Sequence, residues 1–167
     1  MNNFLKLKIG DEILLNGAVF TLRDRAHLFL LKNEFPKIRN SIIFHCGPLL
    51  AGDEIISAGP TTSARFNSYT PELIEKYSIR AIIGKGGMDD NVLKKMRGKV
   101  VYFSAIGGAG ALYAKCMKVI HVYKRVFGMA EAIWELEVKD FPVIVTMDAW
   151  GNSLHKEILE QSFLQSL

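Results

Sequence analysis

The sequence predicts an α/β domain of three layers built on a mixed sheet. Two observations carry that expectation. Short β-branched runs bounded by turn residues recur at Ser41–Cys46, Ala81–Ile83, Val100–Ala105 and Phe141–Met147, as buried strands do. Helix-start signals fall between several of them: Pro71 opens one stretch, followed by Glu72, and Asp89 precedes another. A chain of 167 residues is large enough for one core, so it reads as a single domain over 1–167.

Composition narrows the function. A hydrophobic content of 49% with 23% charged residues is that of a globular protein in water. The net charge of +4 is spread with no basic run longer than two residues. That is too diffuse to argue for nucleic acid or a membrane surface, and it suits an acidic small molecule. Cys46 and Cys116 stand far apart in apolar surroundings, without CxxC spacing, so the chain is expected to hold no metal and to keep free thiols in a reducing cytoplasm. Met1–Lys8 is too short and polar for a signal peptide, and no apolar run approaches the roughly 20 residues of a membrane span.

Taken in order, Leu5–Ile9 alternates like a strand, and Asn16-Gly17 within Glu12–Leu22 is a hairpin signal. These predict a small N-terminal antiparallel sheet packed on a parallel one. Asp24 is expected to cap a helix carrying Leu28, Leu31 and Phe35, which ends near Pro36. Ile55–Ala58 reads as a buried strand. Helix 71–77, capped by Thr70, would connect it to Ala81–Ile83 as a βαβ crossover with parallel strands. Asp89 should cap a short helix through Met96, and Gly107–Gly110 joins a strand to a helix over 111–117. Val119–Tyr123 and Trp134–Val138 read as strands. The helix from Ser153 is expected to turn Leu154, Ile158, Leu159 and Phe163 inward.

Two glycine-turned loops concentrate the chemistry. Gly59–Arg65 offers the hydroxyls of Thr61, Thr62 and Ser63 and the planar fork of Arg65, while Gly84–Asp89 offers Lys85 among Gly86 and Gly87. At the carboxyl ends of strands in an open α/β sheet, such loops can receive a small, multiply anionic molecule. Either loop alone would also be ordinary connecting sequence. Lys85 lacks Walker spacing, and the GxGG pattern lacks the third glycine of a dinucleotide fingerprint. Arg23, at a strand end beside a helix start, reads equally as an anion holder or as a surface partner of Asp24. His27 reads as a general acid or base, or as a hydrogen-bonded core histidine. The Gly107–Gly110 corner reads as an amide-lined contact or as close helix–sheet packing.

Assembled, the blocks GDEILLNGAVFTLRDRAH, HCGP, AGPTTSAR, GKGGMD, GGAGAL and GMAEAIWELEVKDFPVIVTMDAWGN resemble the β subunit of two-subunit class I fumarases and of L-tartrate dehydratases, over nearly the whole chain. The resemblance implies a swivelling β/β/α fold and an α-subunit partner whose cysteines carry a 4Fe–4S cluster, in a heteromer of higher order with neither nucleic acid nor membrane. It implies a hydro-lyase that interconverts fumarate and L-malate, or alternatively one that converts tartrate to oxaloacetate. By the same resemblance Arg23, Arg65 and Lys85, with Gly86 and Gly87, bind the substrate carboxylates, Thr61 takes part in proton transfer, and Asp24, His27 and Asp89 support the loops. A threonine hydroxyl is a poor base at its free pKa, so Thr61 would need an activating neighbour. A non-catalytic anion-binding or regulatory module of the same fold is the reading from a different class.

Overall fold

Four strands run parallel and side by side: β1 (Glu12–Thr21), β2 (Ile42–Phe44), β5 (Ala81–Gly84) and β6 (Val101–Ser104). The computed structural model describes residues 4–165. Between β2 and β5 the chain forms an antiparallel pair, β3 (Leu49–Ala51) and β4 (Glu54–Ser57), outside the main sheet. Two further strands, β7 (Met117–Tyr123) and β8 (Ile133–Met147), are antiparallel to each other. β8 pairs antiparallel with both β1 and β6, so the hydrogen-bond ladder β1-β2-β5-β6-β8 closes on itself. The helices are α1 (Asp24–Lys32), α2 (Thr70–Tyr77), α3 (Asp90–Met96), α4 (Gly110–Ala114) and α5 (Leu154–Gln165).

Strand alternation divides the core in two. Ile42, Phe44, Ala81, Ile83, Val101 and Phe103 point to the side where Leu136, Phe141, Val143 and Val145 of β8 pack. Ile43, Ile82 and Tyr102 point the other way, onto Leu30 of α1, Leu73, Ile74 and Tyr77 of α2, and Val92 and Leu93 of α3. Each fully buried aliphatic or phenyl side chain contributes about 1.5–3 kcal/mol, which is why residues of both parities along these strands are apolar. The result is the three-layer α/β domain with a mixed sheet that the sequence predicts.

Several elements differ from expectation. Phe4–Lys6 forms a 3-10 turn, and no strand covers Leu5–Ile9. Asn16-Gly17 makes no hairpin: β1 runs through it as one ten-residue strand with a register shift between Leu15 and Gly17. Gly17 (φ +125°) and Asp140 of β8 (φ +53°) both leave ordinary strand geometry there. The Asn16 side chain accepts from the Asp140 backbone N–H at 2.9 Å, so the turn-type residues stitch a bulge between two long strands. The N-terminal segment therefore joins the main sheet instead of forming one of its own.

The proposed crossover from Ile55–Ala58 is also overturned. β4 pairs with β3 only, and the parallel neighbours of β5 are β2 and β6. Thr70 is the first residue of α2 and not its side-chain cap; its hydroxyl donates to the Phe66 carbonyl at 2.8 Å. Asp24 does not cap α1 either. Glu131 accepts from the Arg25 backbone N–H at 2.9 Å and satisfies that helix end from across the fold. Asp89 does cap α3, accepting from Val92 N–H at 2.9 Å. α4 stops at Ala114, and Met117 already belongs to β7.

The C-terminal helix does not turn its apolar residues inward. Ile158, Leu159 and Phe163 are each more than half exposed. The helix is held near its start, where Ser153 bridges to Met147, His155 lies against Gly87 and Lys156 pairs with Asp90. From Lys156 to Leu164 every side chain is exposed.

Candidate functional site

The two glycine loops meet by a different route from the one the sequence suggests. Residues 60–63 thread across the carboxyl ends of β2 and β5. The Thr61 N–H donates to the His45 carbonyl at 2.7 Å, just past β2, and Lys85 N–H, just past β5, donates to the Thr61 carbonyl at 3.1 Å. Ser63 N–H in turn donates to the Lys85 carbonyl at 3.1 Å, giving the bridge between Thr62 and Lys85. Thr61 and Lys85 are thus adjacent along a short backbone ladder. Arg65 follows in the 3-10 turn Ser63–Phe66, where its guanidinium pairs with the Asp24 carboxylate at the start of α1.

Through that ion pair the β1–α1 junction joins the same cluster. Arg23 faces Glu131 at 3.4 Å, and its Nε is buried without an aligned hydrogen-bond acceptor. Both arginines therefore have a carboxylate of their own chain beside them. An arginine has five N–H donors, so one contact leaves most of the fork available. Lys85 has no carboxylate within ion-pair distance among the described residues. Its stem lies over Gly107, where a side-chain carbon would come within 2.9 Å of Lys85 Cδ. The Gly107–Gly110 corner thus serves close packing: Gly59 and Gly110 also touch, and Ala58 N–H donates to the Gly110 carbonyl at 3.0 Å.

The Thr61 hydroxyl donates to the His45 carbonyl at 3.1 Å. That acceptor fixes the side chain but cannot take up a proton, and it leaves the oxygen lone pairs for another donor. His27 is buried, with Nδ1 2.7 Å from the Arg23 carbonyl, so that nitrogen carries the proton. Burial lowers its pKa from 6.5 to about 4, against the opposing pull of the carbonyl bond and of Asp24. The ring stacks on Phe66 at 4.2 Å between centroids. This is the core-histidine geometry. Gly86 sits in the left-handed region (φ +71°), and Gly87 leaves no room for a side chain beneath His155, whose Cδ2 would lie 2.7 Å from an added Cβ. Asp89 acts through its helix cap.

The sequence places His45 in an apolar run as a hydrogen-bonded core histidine, which the structure bears out, but its partners Ser63 and Tyr102, which complete the support beneath the loop, were missed. His45 Nδ1 and the Ser63 hydroxyl are 2.8 Å apart, and the Tyr102 hydroxyl donates to the same serine oxygen at 2.8 Å. All three side chains are buried. A histidine inside an apolar strand and a tyrosine on the helix side of β6 were the only traces of it in the sequence. Glu131, which holds both Arg23 and the end of α1, left no local trace at all.

A family model described as Fumarase C-terminus matches residues 1–158. The chain belongs to this family. It is 45% identical over 92% of its length to a protein of Methanocaldococcus jannaschii provisionally named L(+)-tartrate dehydratase subunit beta, of which it covers 86%. It is 37% identical over 90% of its length to the L(+)-tartrate dehydratase subunit beta of Escherichia coli K12, covering 80% of that protein. It is 43% identical over 97% of its length to a Geobacillus stearothermophilus protein provisionally named fumarate hydratase class I. The chain spans a third of that last protein. Members of this family thus occur both as separate β subunits and as part of a longer chain.

Among the described residues no group of three or more His, Cys, Asp or Glu is placed to hold a metal ion. Burial pushes the Cys46 thiol well above its ordinary range, which disfavours a thiolate ligand, and Cys116 has no companion cysteine. The donor set does not fit an iron–sulfur cluster. No helix among the described residues is long and apolar enough to cross a membrane.

Proposed function

We propose that this chain is the β subunit of an iron–sulfur-dependent hydro-lyase, contributing the carboxylate-binding half of a dicarboxylate site. The reaction is reversible hydration of fumarate to L-malate. The second reading, dehydration of tartrate to oxaloacetate, draws on the names of the two β-subunit relatives. The observation that carries the proposal is the backbone ladder that sets Thr61 beside Lys85, with Arg65 on the same loop ion-paired to Asp24, the residue that follows Arg23 in the chain. A scaffold that only packed against a partner would have no use for three cations gathered at the ends of parallel strands.

In this reading the cluster belongs to an α partner subunit, where it supplies a Lewis-acidic iron. This chain's residues orient and stabilise. Lys85 and the arginine forks grip the two carboxylates and fix the diacid in one direction. Their positive charge stabilises the aci-carboxylate that forms when the neighbouring proton leaves. Thr61 presents its oxygen lone pairs toward the reacting carbon. Its hydroxyl donates to the His45 carbonyl, which is not a base, so the group that finally holds the transferred proton comes from the partner. Gly86 and Gly87 shape the loop that delivers Lys85, Asp24 holds the Arg65 guanidinium, and Asp89 caps α3.

Anaerobic co-expression with an α subunit, followed by turnover assays with L-malate and with tartrate, tests the proposal and ranks the two substrates. Arg65→Ala and Lys85→Ala remove charge-assisted bonds of about 3–4 kcal/mol and should lower turnover roughly 10²–10³-fold. Both side chains are exposed, so the thermal midpoint should move by only about 2 °C. Near-normal turnover in either variant would refute the assignment.

A further inference from the structure

The loop from Pro60 to Phe66 carries two residues of the proposed site, Thr61 and Arg65, and Ser63 lies between them facing inward. Its backbone N–H is bonded past the end of β5, at the Lys85 carbonyl. Its side chain reaches His45, just past β2, and Tyr102 of β6, each at 2.8 Å. One serine thereby ties the loop to three neighbouring parallel strands. Tyr102 donates its proton to the Ser63 oxygen, and a second hydrogen bond joins that hydroxyl to His45 Nδ1. Gly84 completes the arrangement, because a Cβ there would overlap the Ser63 hydroxyl oxygen and lie 2.7 Å from that of Tyr102.

A buried polar chain is a costly way to fill space that apolar side chains could fill, and its return is a single fixed geometry. His45 is also the residue whose carbonyl accepts both the N–H and the hydroxyl of Thr61. We propose that Ser63, Tyr102 and His45 are positioning residues that set the distance and orientation of Thr61 and Arg65 relative to Lys85. None of the three touches substrate. The inference rests on the reading of Thr61, Arg65 and Lys85 as the substrate-holding groups.

The test uses the assembled heteromer and compares Tyr102→Phe, Ser63→Ala and their double variant by steady-state kinetics and thermal unfolding. Each single variant should raise KM for the dicarboxylate about tenfold with a smaller change in kcat. The double variant should be no worse than the poorer single, because both act through one chain of bonds. A KM within twofold of wild type in Tyr102→Phe, whatever happens to the melting temperature, would overturn the proposal. Tyr102→Phe keeps the ring in place, so it carries the test if Ser63→Ala fails to assemble. Arg65→Ala serves as the control: full activity there sinks the site itself, whereas an inactive Arg65→Ala beside an unaltered Tyr102→Phe sinks only this inference.

Discussion

Replacing Gly84 by alanine should be among the most damaging single-carbon changes in the molecule. The new Cβ would occupy the place of the Ser63 hydroxyl oxygen, and the Tyr102 hydroxyl lies only 2.7 Å away. Because Ser63 is buried against three strand ends, its hydroxyl has to swing out of both hydrogen bonds. The two lost bonds cost about 1 kcal/mol each. With the overpacking itself, the total comes to roughly 3–5 kcal/mol. For a chain of this size that is a drop in melting temperature of about 10 °C. Urea titration of the purified chain, followed by circular dichroism, reads the loss directly. Ser63→Ala in the Gly84→Ala background removes the colliding atom and should recover about 1–2 kcal/mol of what the two single changes would cost together. A Gly84→Ala loss below about 1 kcal/mol, or strict additivity in the pair, would refute the reasoning.

Two further outcomes are expected. His27 binds its proton more weakly in the folded chain than in the unfolded one, with a pKa of about 4 against 6.5. The unfolded state therefore takes up more protons between those values. Stability is complete above pH 6.5 and falls by about 3 kcal/mol as pH drops to 4. The pKa of His45 is lowered by burial as well and acts in the same direction. His27→Asn should flatten the dependence of urea midpoint on pH, and an unchanged slope would count against this account. Asp89→Ala should cost about 1 kcal/mol in the same titration, since it removes the bond to Val92 N–H, whereas Asp89→Ser should be nearly neutral.

Much of the architecture was readable because burial on both faces leaves a plain signature. Ile42–Phe44, Ala81–Ile83 and Val101–Phe103 are apolar at successive positions, and each is a strand of the parallel set. Asp89 was readable as a cap because a cap acts within one turn. The errors share a cause, which is dependence on distant partners. Asn16-Gly17 carries a turn signal, yet pairing with β8 converts it into a bulge. Ile55–Ser57 has strand propensity, but nothing local says that it pairs with Leu49–Ala51 and not with β5. The end of α1 is satisfied by Glu131, which lies beyond any local pattern. The apolar residues of α5 imply a buried face, and that face is exposed in the single chain.

The candidate site divides in the same way. Its cations and hydroxyls announce themselves by residue type within two glycine-rich loops. The support does not, because Tyr102, Ser63 and His45 come from three separate segments and meet only in the folded molecule. The two loops do meet, but not as the ends of adjacent parallel strands in one sheet. They are brought together by residues 60–63 crossing the ends of β2 and β5.

The closed circuit of strands has a bearing on how the polypeptide matures. Glu12 pairs with Ile144 and Phe20 with Glu135, so the first strand waits for the last one to be made. Contacts that distant in sequence form slowly. During synthesis β1 leaves the ribosome with one side unpaired until almost everything else has emerged. Shortened versions that stop before Met147 should therefore collect as sticky, open-edged species, and not as smaller working domains.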